Sequence, residues 1–278
     1  IMIYLLLVNI ALAIGFALYQ LSFRQLTFFQ WNRFYLLGMV LISLLIPVGI
    51  YIDLSAYLGM QETIPTLSFQ YIITNTTIGI VNTHYPVYLI DILTWLYWGG
   101  VGFGLILLLL RLWKLRIACK QKSSYSSFSF FKKVVLGAHV KDIQAISDHE
   151  KIHVDQGHSY DIQLLEVDAV LNWFNPIVYI IKKELKFQHE CIADDSCSID
   201  KVSYAELLIA HALQTDVDML RHEFSNQSFL KKRIMMLFKN KSTNTKKLFY
   251  LSTIPLVVVL LISTLIFNTS KAKEVLEV

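Results

Sequence analysis

The residues best suited to chemistry lie in Asp148-His149-Glu150-Lys151-Ile152-His153, followed by a second acidic cluster, His189-Glu190-Cys191-Ile192-Ala193-Asp194. On a helix, residues four apart are separated by about 40 degrees around the axis and about 6 Å along it. His149 and His153 therefore project from one face, where two imidazoles can grip one metal ion. Glu150, beside the first histidine, sits where it can take a proton from an attacking water, and H-E-x-x-H is the pattern of a zinc hydrolase helix. A third protein ligand is needed. Glu190 is the best candidate, because Asp194 lies one turn later on the same face and can accept the N–H of a ligating histidine, fixing its tautomer.

The alternative pattern with Gly and His three and six residues beyond the second histidine is excluded: those positions hold Gln156 and Ser159. A glutamate third ligand is therefore preferred. His158 and His189 read as supporting groups rather than direct ligands, since neither has the four-residue relation to the first pair. Hydrolysis also needs a group to steady the tetrahedral oxyanion, and Tyr204, His211 and Arg233 are equal candidates for it. His84 and His139 read as solvated or core histidines, and Cys191 as a small buried hydrophobe.

The elements that must position these groups belong to a membrane protein. Of 278 residues, 55% are hydrophobic and only 17% charged, with a mean hydropathy of +0.50, too apolar for an ordinary globular domain. Three cysteines, Cys119, Cys191 and Cys197, form no C-x-x-C pair, which argues against a disulfide framework and a cysteine zinc site and fits a reducing compartment. A bilayer crossing takes about 20 apolar residues. Residues Ile1 to Leu21 form one such run, Phe34 to Ile52 a second interrupted by Pro47, Tyr88 to Leu110 a third, and Leu248 to Phe267 a fourth. In the third, Gly99, Gly100, Gly102 and Gly104 would let another helix approach closely.

No Lys or Arg occurs between Arg33 and Arg111, whereas Arg111, Lys114, Arg116, Lys120 and Lys122 crowd the exit of the third span, and Lys239, Lys241, Lys246 and Lys247 precede the fourth. The positive-inside rule then puts the Arg24 to Arg33 loop in the cytoplasm, the Asp53 to Pro86 loop outside, and the metal motif inside. The expected fold is a mainly α membrane protein: residues 1–114 hold three transmembrane helices, 115–247 a cytoplasmic helical zinc domain inserted between helices three and four, and 248–278 the fourth helix and the start of an extracytoplasmic segment. Within the domain, Val134 to Val140 reads as a short strand able to bind an extended peptide. Asp142 or Ser147 is expected to cap the motif helix, and Asn175-Pro176 marks a turn with Pro176 in the next helix's first turn. The apolar run Ala169 to Ile181 suits either a segment lying against the inner leaflet or a buried core helix. The lysine clusters serve as topology determinants and solvated faces rather than nucleic-acid contacts. Ile1 in place of Met, and the last residues Lys271 to Val278, suggest a piece of a longer protein.

These residues resemble the signal-transducing membrane zinc peptidases typified by the BlaR and MecR beta-lactam sensors, peptidase family M 56, a gluzincin-like group. The likeness rests on His149-Glu150-x-x-His153 with nearby His158, on Trp173-Phe174-Asn175-Pro176, on His189-Glu190-x-x-Ala193-Asp194 and on Lys231-Lys232-Arg233-Ile234 before the last span. Phe128-Ser129-Phe130-Phe131 is similar to the Bacteroidota branch. The resemblance implies a bacterial inner-membrane location, Zn2+ held with Glu190 as third ligand, Glu150 as catalytic acid/base, and proteolysis in signalling, by cleavage of the protein itself, of a cytoplasmic repressor, or of both. The penicillin-binding sensor of those proteins has no counterpart in these residues, so beta-lactam is not the expected stimulus. Two other classes remain open: a housekeeping membrane protease of the CAAX-processing type, and a non-catalytic sensor or scaffold.

Overall fold

Apolar runs of the lengths above fold as helices because, in lipid, helices satisfy every backbone N–H and C=O internally. The computed structural model describes residues 2–51, 89–119, 127–136, 143–213 and 220–267, so the outer loop expected at Asp53 to Pro86, His84, His139, Asp142 and the segment after Phe267 lie outside the described residues. Helix α1 (Met2–Leu18) continues through a π-helical turn, Tyr19–Phe23, before the chain reverses into α2 (Phe29–Leu45). A 3-10 stretch, Ile46–Tyr51, replaces the α-helix at Pro47, whose ring removes a backbone donor and blocks continuation. Helix α3 (Leu89–Ala118) runs 30 residues, well past the Leu110 expected as its end. The fourth apolar segment begins as a 3-10 stretch, Asn244–Ser252, and becomes α9 (Thr253–Phe267). Four segments, Met2–Phe23, Phe29–Gly49, Leu89–Ala118 and Asn244–Thr264, are thus long and apolar enough to cross a membrane, and the chain reads as a multi-pass membrane protein.

Between α3 and the fourth segment come an antiparallel hairpin, β1 (Phe128–Phe130) on β2 (Lys133–Val135), then α4 (Ile143–Asp155), α5 (His158–Leu171), α6 (Pro176–Cys197), α7 (Lys201–Leu213) and α8 (Leu220–Leu237). Ser147 lies inside α4, four residues beyond its first residue, and is therefore not its cap. Asn175 caps α6, its side chain accepting a hydrogen bond from the Ile177 N–H, and Pro176 lies in the first turn as expected. Gly157, at φ 69°, provides the left-handed residue that separates α4 from α5 at little steric cost. The apolar run Ala169 to Ile181 is not one segment. It breaks at Asn172–Asn175, so Val178, Ile181 and Leu185 enter the core while Tyr179 and Ile180 stay exposed.

One apolar core joins the first two spans to helices α5 and α6. Val8, Leu12, Leu36 and Val40 from α1 and α2 pack with Leu165 of α5, with Val178, Ile181 and Leu185 of α6, and with Tyr250. Truncating any such fully buried aliphatic side chain to Ala costs about 2–5 kcal/mol. The glycines of α3 differ in what they admit. A Cβ on Gly100 would lie 2.2 Å from the Trp173 indole, and one on Gly104 would lie 3.6 Å from Val170, whereas Gly99 and Gly102 face open space. Gly100 therefore allows the close seat of Trp173 against the third apolar helix.

Candidate metal centre

Helix α4 carries His149, Glu150 and His153, and α6 packs across it with His189, Glu190 and Asp194. One donor atom from each of His149, His153 and Glu190 lies within 4.8 Å of the others. The two Nε2 atoms are 3.1 Å apart, His149 Nε2 is 3.4 Å from Glu190 Oε2, and His153 Nε2 is 3.5 Å from Glu190 Oε1. Four ligands at about 2.0–2.1 Å from a tetrahedral zinc stand about 3.4 Å from one another. The imidazole nitrogens and one or the other Glu190 oxygen stand near that edge length, so the donor set fits a zinc ion.

The far sides of both imidazoles are held. With Nε2 facing the shared centre, Nδ1 of His149 carries the proton and donates to Tyr204 Oη at 2.9 Å, and the Tyr204 hydroxyl donates to Asp194 Oδ1 at 3.0 Å. The sequence expectation that Asp194 takes the histidine N–H directly is thereby modified: His149 Nδ1 stands 3.7 Å from Asp194 Oδ1, and the tyrosine bridges them. Arg233 grips Asp194 with a two-pronged fork, Nε to Oδ2 at 2.9 Å and Nη2 to Oδ1 at 2.6 Å, and extends Nη1 to Glu190 Oε2 at 2.9 Å. Tyr204 and Arg233 are thus at the site, but their donors are engaged with its carboxylates rather than aimed at an oxyanion. His211 lies on α7, and its side chain is outside the described residues.

On the other side, His153 Nδ1 lies 2.7 Å from His158 Nδ1, and the His158 ring stacks on His189 at 3.9 Å with an interplanar angle of 5°. His189 Nε2 meets Asp161 Oδ2 at 2.9 Å, and the same oxygen accepts from Arg33 Nε at 2.6 Å. Arg33 further donates through Nη2 to the Gln156 carbonyl at 2.7 Å. This arginine does not border a solvated loop: it sits within α2 and is 7% exposed. It and Asp161 are the site residues that sequence reasoning missed. The available signal was an arginine inside an otherwise apolar helix, where an ionisable side chain needs a partner.

Electrostatics sorts these groups by role. Burial works against charge on His149, but the Cys197 thiol and the Glu190 and Asp194 carboxylates outweigh it and hold its pKa up at about 9. Burial pushes His153 down to about 4 and His158 down to about 2, with neighbouring histidines adding to the effect. Although burial opposes its ionisation, Glu190 is held well below the usual carboxylate range by His149 and Arg233, so it is a negatively charged donor. Glu150 is shifted the other way, upward, chiefly by burial and partly offset by Ser129 of β1, which makes it a better proton acceptor. Cys191 is buried among Phe29, Phe187 and Ile192, and its thiol is pushed well up by that burial, as expected of a small hydrophobe.

Glu150, His153 and Glu190 open on a cavity of about 510 Å³. One wall is the extended end of α3, with Leu108, Leu112 and Leu115; another is the hairpin strand β1, with Phe128 and Phe130. The Glu150 carboxylate, two of the three donors and a largely apolar cleft share one space, an arrangement that can support metal-assisted hydrolysis.

No curated protein and no solved structure matches this chain. Residues 133–237 match the family model described as BlaR1 peptidase M56, a stretch that contains His149, Glu150, His153, Glu190, Asp194, Tyr204 and Arg233. Over that stretch the chain is similar to a BlaR1-type membrane metallopeptidase.

Proposed function

We propose that this chain is an integral-membrane zinc metallopeptidase that cleaves itself, a cytoplasmic regulator, or both, in transmembrane signalling. The observation that carries the reading is the convergence of the His149, His153 and Glu190 donors within 4.8 Å, with His153 and Glu190 lining the same cavity as Glu150. In this reading residues 115–247 form the catalytic domain between the third and fourth spans, on the cytoplasmic face of a bacterial inner membrane. The basic exits of the spans support that orientation: Arg111, Lys114 and Arg116 on one side of the domain, and Lys239, Lys241, Lys246 and Lys247 on the other.

Zinc bound by the three residues would supply a Lewis acid for the scissile carbonyl and lower the pKa of the attacking water. The Glu150 carboxylate takes the water proton and returns it to the leaving amine, a role its raised proton affinity suits. Tyr204 and Asp194 keep the His149 proton on Nδ1, leaving Nε2 as the donor. The outer edge of β1 offers a rail on which an extended peptide can add as a strand, with its side chains against the leucines of α3.

Glu150→Gln keeps the shape of the site and removes the base. Purified Glu150→Gln protein is expected to retain zinc at the wild-type ratio, and cells carrying it to accumulate the uncleaved chain or an uncleaved cytoplasmic protein. Undiminished cleavage in that variant would refute the assignment.

A further inference from the structure

A second cavity, of about 280 Å³, lies away from the metal donors and is bordered by Arg24, Lys183, Lys232 and Lys239. Its apolar lining comes from Phe187, Phe229, Met235 and Met236, so it joins a cationic rim to a greasy wall. Its depth follows from the first span. Met2–Phe23 has 22 residues, about 33 Å of helix, which fills a hydrocarbon core of about 30 Å. Arg24, the next residue, is thereby set at the level of the lipid headgroups. The rim has a net positive charge: Arg24 pairs with Glu184 at 2.9 Å, and Lys239 donates to the Gln25 carbonyl at 2.7 Å, whereas among the described residues Lys183 and Lys232 have no acidic partner. Both are exposed, as is Met235 at 62%, so the cavity opens outward at the depth where phosphates and the first acyl carbons occur together.

We propose that this cavity is a binding site for the headgroup of an anionic phospholipid, the phosphate lying between Lys183 and Lys232 and the upper acyl chain against Met235 and Phe229. Basic pockets at the ends of transmembrane helices take such headgroups, and each Lys or Arg near the surface is worth about fivefold in affinity. The site also has a route to the metal cavity. Phe229 borders both spaces, and α8 presents Lys232 to the lipid and Arg233 to Glu190, so a bound lipid holds the helix that pins the third donor.

The test uses the full chain in nanodiscs of phosphatidylcholine doped with fluorescent phosphatidylglycerol, with lipid retention read by energy transfer from the protein. Lys183→Gln/Lys232→Gln is expected to weaken retention about thirtyfold, two basic side chains' worth, while Lys133→Gln/Lys201→Gln, with the same loss of charge elsewhere, stays near wild type. Equal loss in both double variants would show bulk charge alone and overturn the site. Unchanged retention in the first double variant would overturn it as well. Displacement of the lipid by soluble glycerol phosphate, or by an acidic peptide in its place, would reassign the cavity to a soluble anion or to a protein partner and end the lipid proposal.

Discussion

His149 and His153 are neighbours on one helix with opposite proton affinities. His149 is held up at about 9 by the thiol and carboxylates that outweigh its burial, and His153 is pushed down to about 4 by burial. Before metal binds, His153 is neutral at pH 7 and His149 carries a proton, which a metal must displace. The sign follows: below about pH 9 each step down in pH makes the proton a stronger competitor. Zinc affinity, measured by competition with a chelator of known pH dependence, is therefore expected to rise about tenfold per pH unit from pH 6 to pH 8 and to level off near pH 9. An affinity flat across that range would contradict the protonated resting state of His149. At this scale the helical spacing of His149, Glu150 and His153, and the one-turn spacing of Glu190 and Asp194, were legible in the sequence, whereas the packing of α6 across α4 was not. Tyr204 and Arg233 were candidates for steadying an oxyanion, but the carboxylates they hold instead depend on how α7 and α8 approach α6, which no local spacing encodes.

Among the elements, α5 links the spans to the metal donors. Its first turn bears His158, which touches His153, and Asp161, which joins His189 to Arg33 in α2. Arg33 and Asp161 stand 128 residues apart in sequence, so their pairing is a product of tertiary packing and was not legible beforehand. Arg33→Met leaves the Asp161 carboxylate buried without its cation, at a cost of about 3 kcal/mol. The melting temperature should fall, and zinc affinity should fall with it by about tenfold as the His153 support loosens. Loss of stability with zinc affinity intact would detach Arg33 from the metal site. The other end of α5 leads to the Trp173 seat on α3. Gly100→Leu, whose Cβ would stand 2.2 Å from the indole, is expected to lower the melting temperature, while Gly102→Leu, which faces open space, should leave it near wild type. Equal effects of the two substitutions would mean that Trp173 does not need Gly100. The run of small residues in the third span was readable as a contact surface, but which glycine meets a partner was not.

In the whole molecule, the first two spans, helices α5 and α6, and Tyr250 at the start of the fourth apolar segment share a core, since Leu165, Val178, Ile181 and Leu185 pack against α1 and α2. Hydropathy alone located the four spans, because lipid leaves an apolar stretch of that length few other folds. It set their ends less well. The π-helical turn at Tyr19–Phe23 and the 3-10 stretch Asn244–Ser252 arise where Tyr19, Phe23 and Tyr250 are drawn into one aromatic cluster, Phe23 and Tyr250 stacking at 4.4 Å. Helix α6, which carries Glu190, packs into this shared core, so the third donor is tied to the first two spans. All of this rests on His149, His153 and Glu190 holding one zinc ion. Zinc-edge X-ray absorption on the purified, zinc-loaded full chain tests it directly. The prediction is one zinc per chain with only nitrogen and oxygen neighbours at about 2.0–2.2 Å, two of them imidazole, and loss of the ion in Glu190→Ala. A sulfur neighbour at about 2.3 Å, or zinc retained unchanged without Glu190, would contradict it.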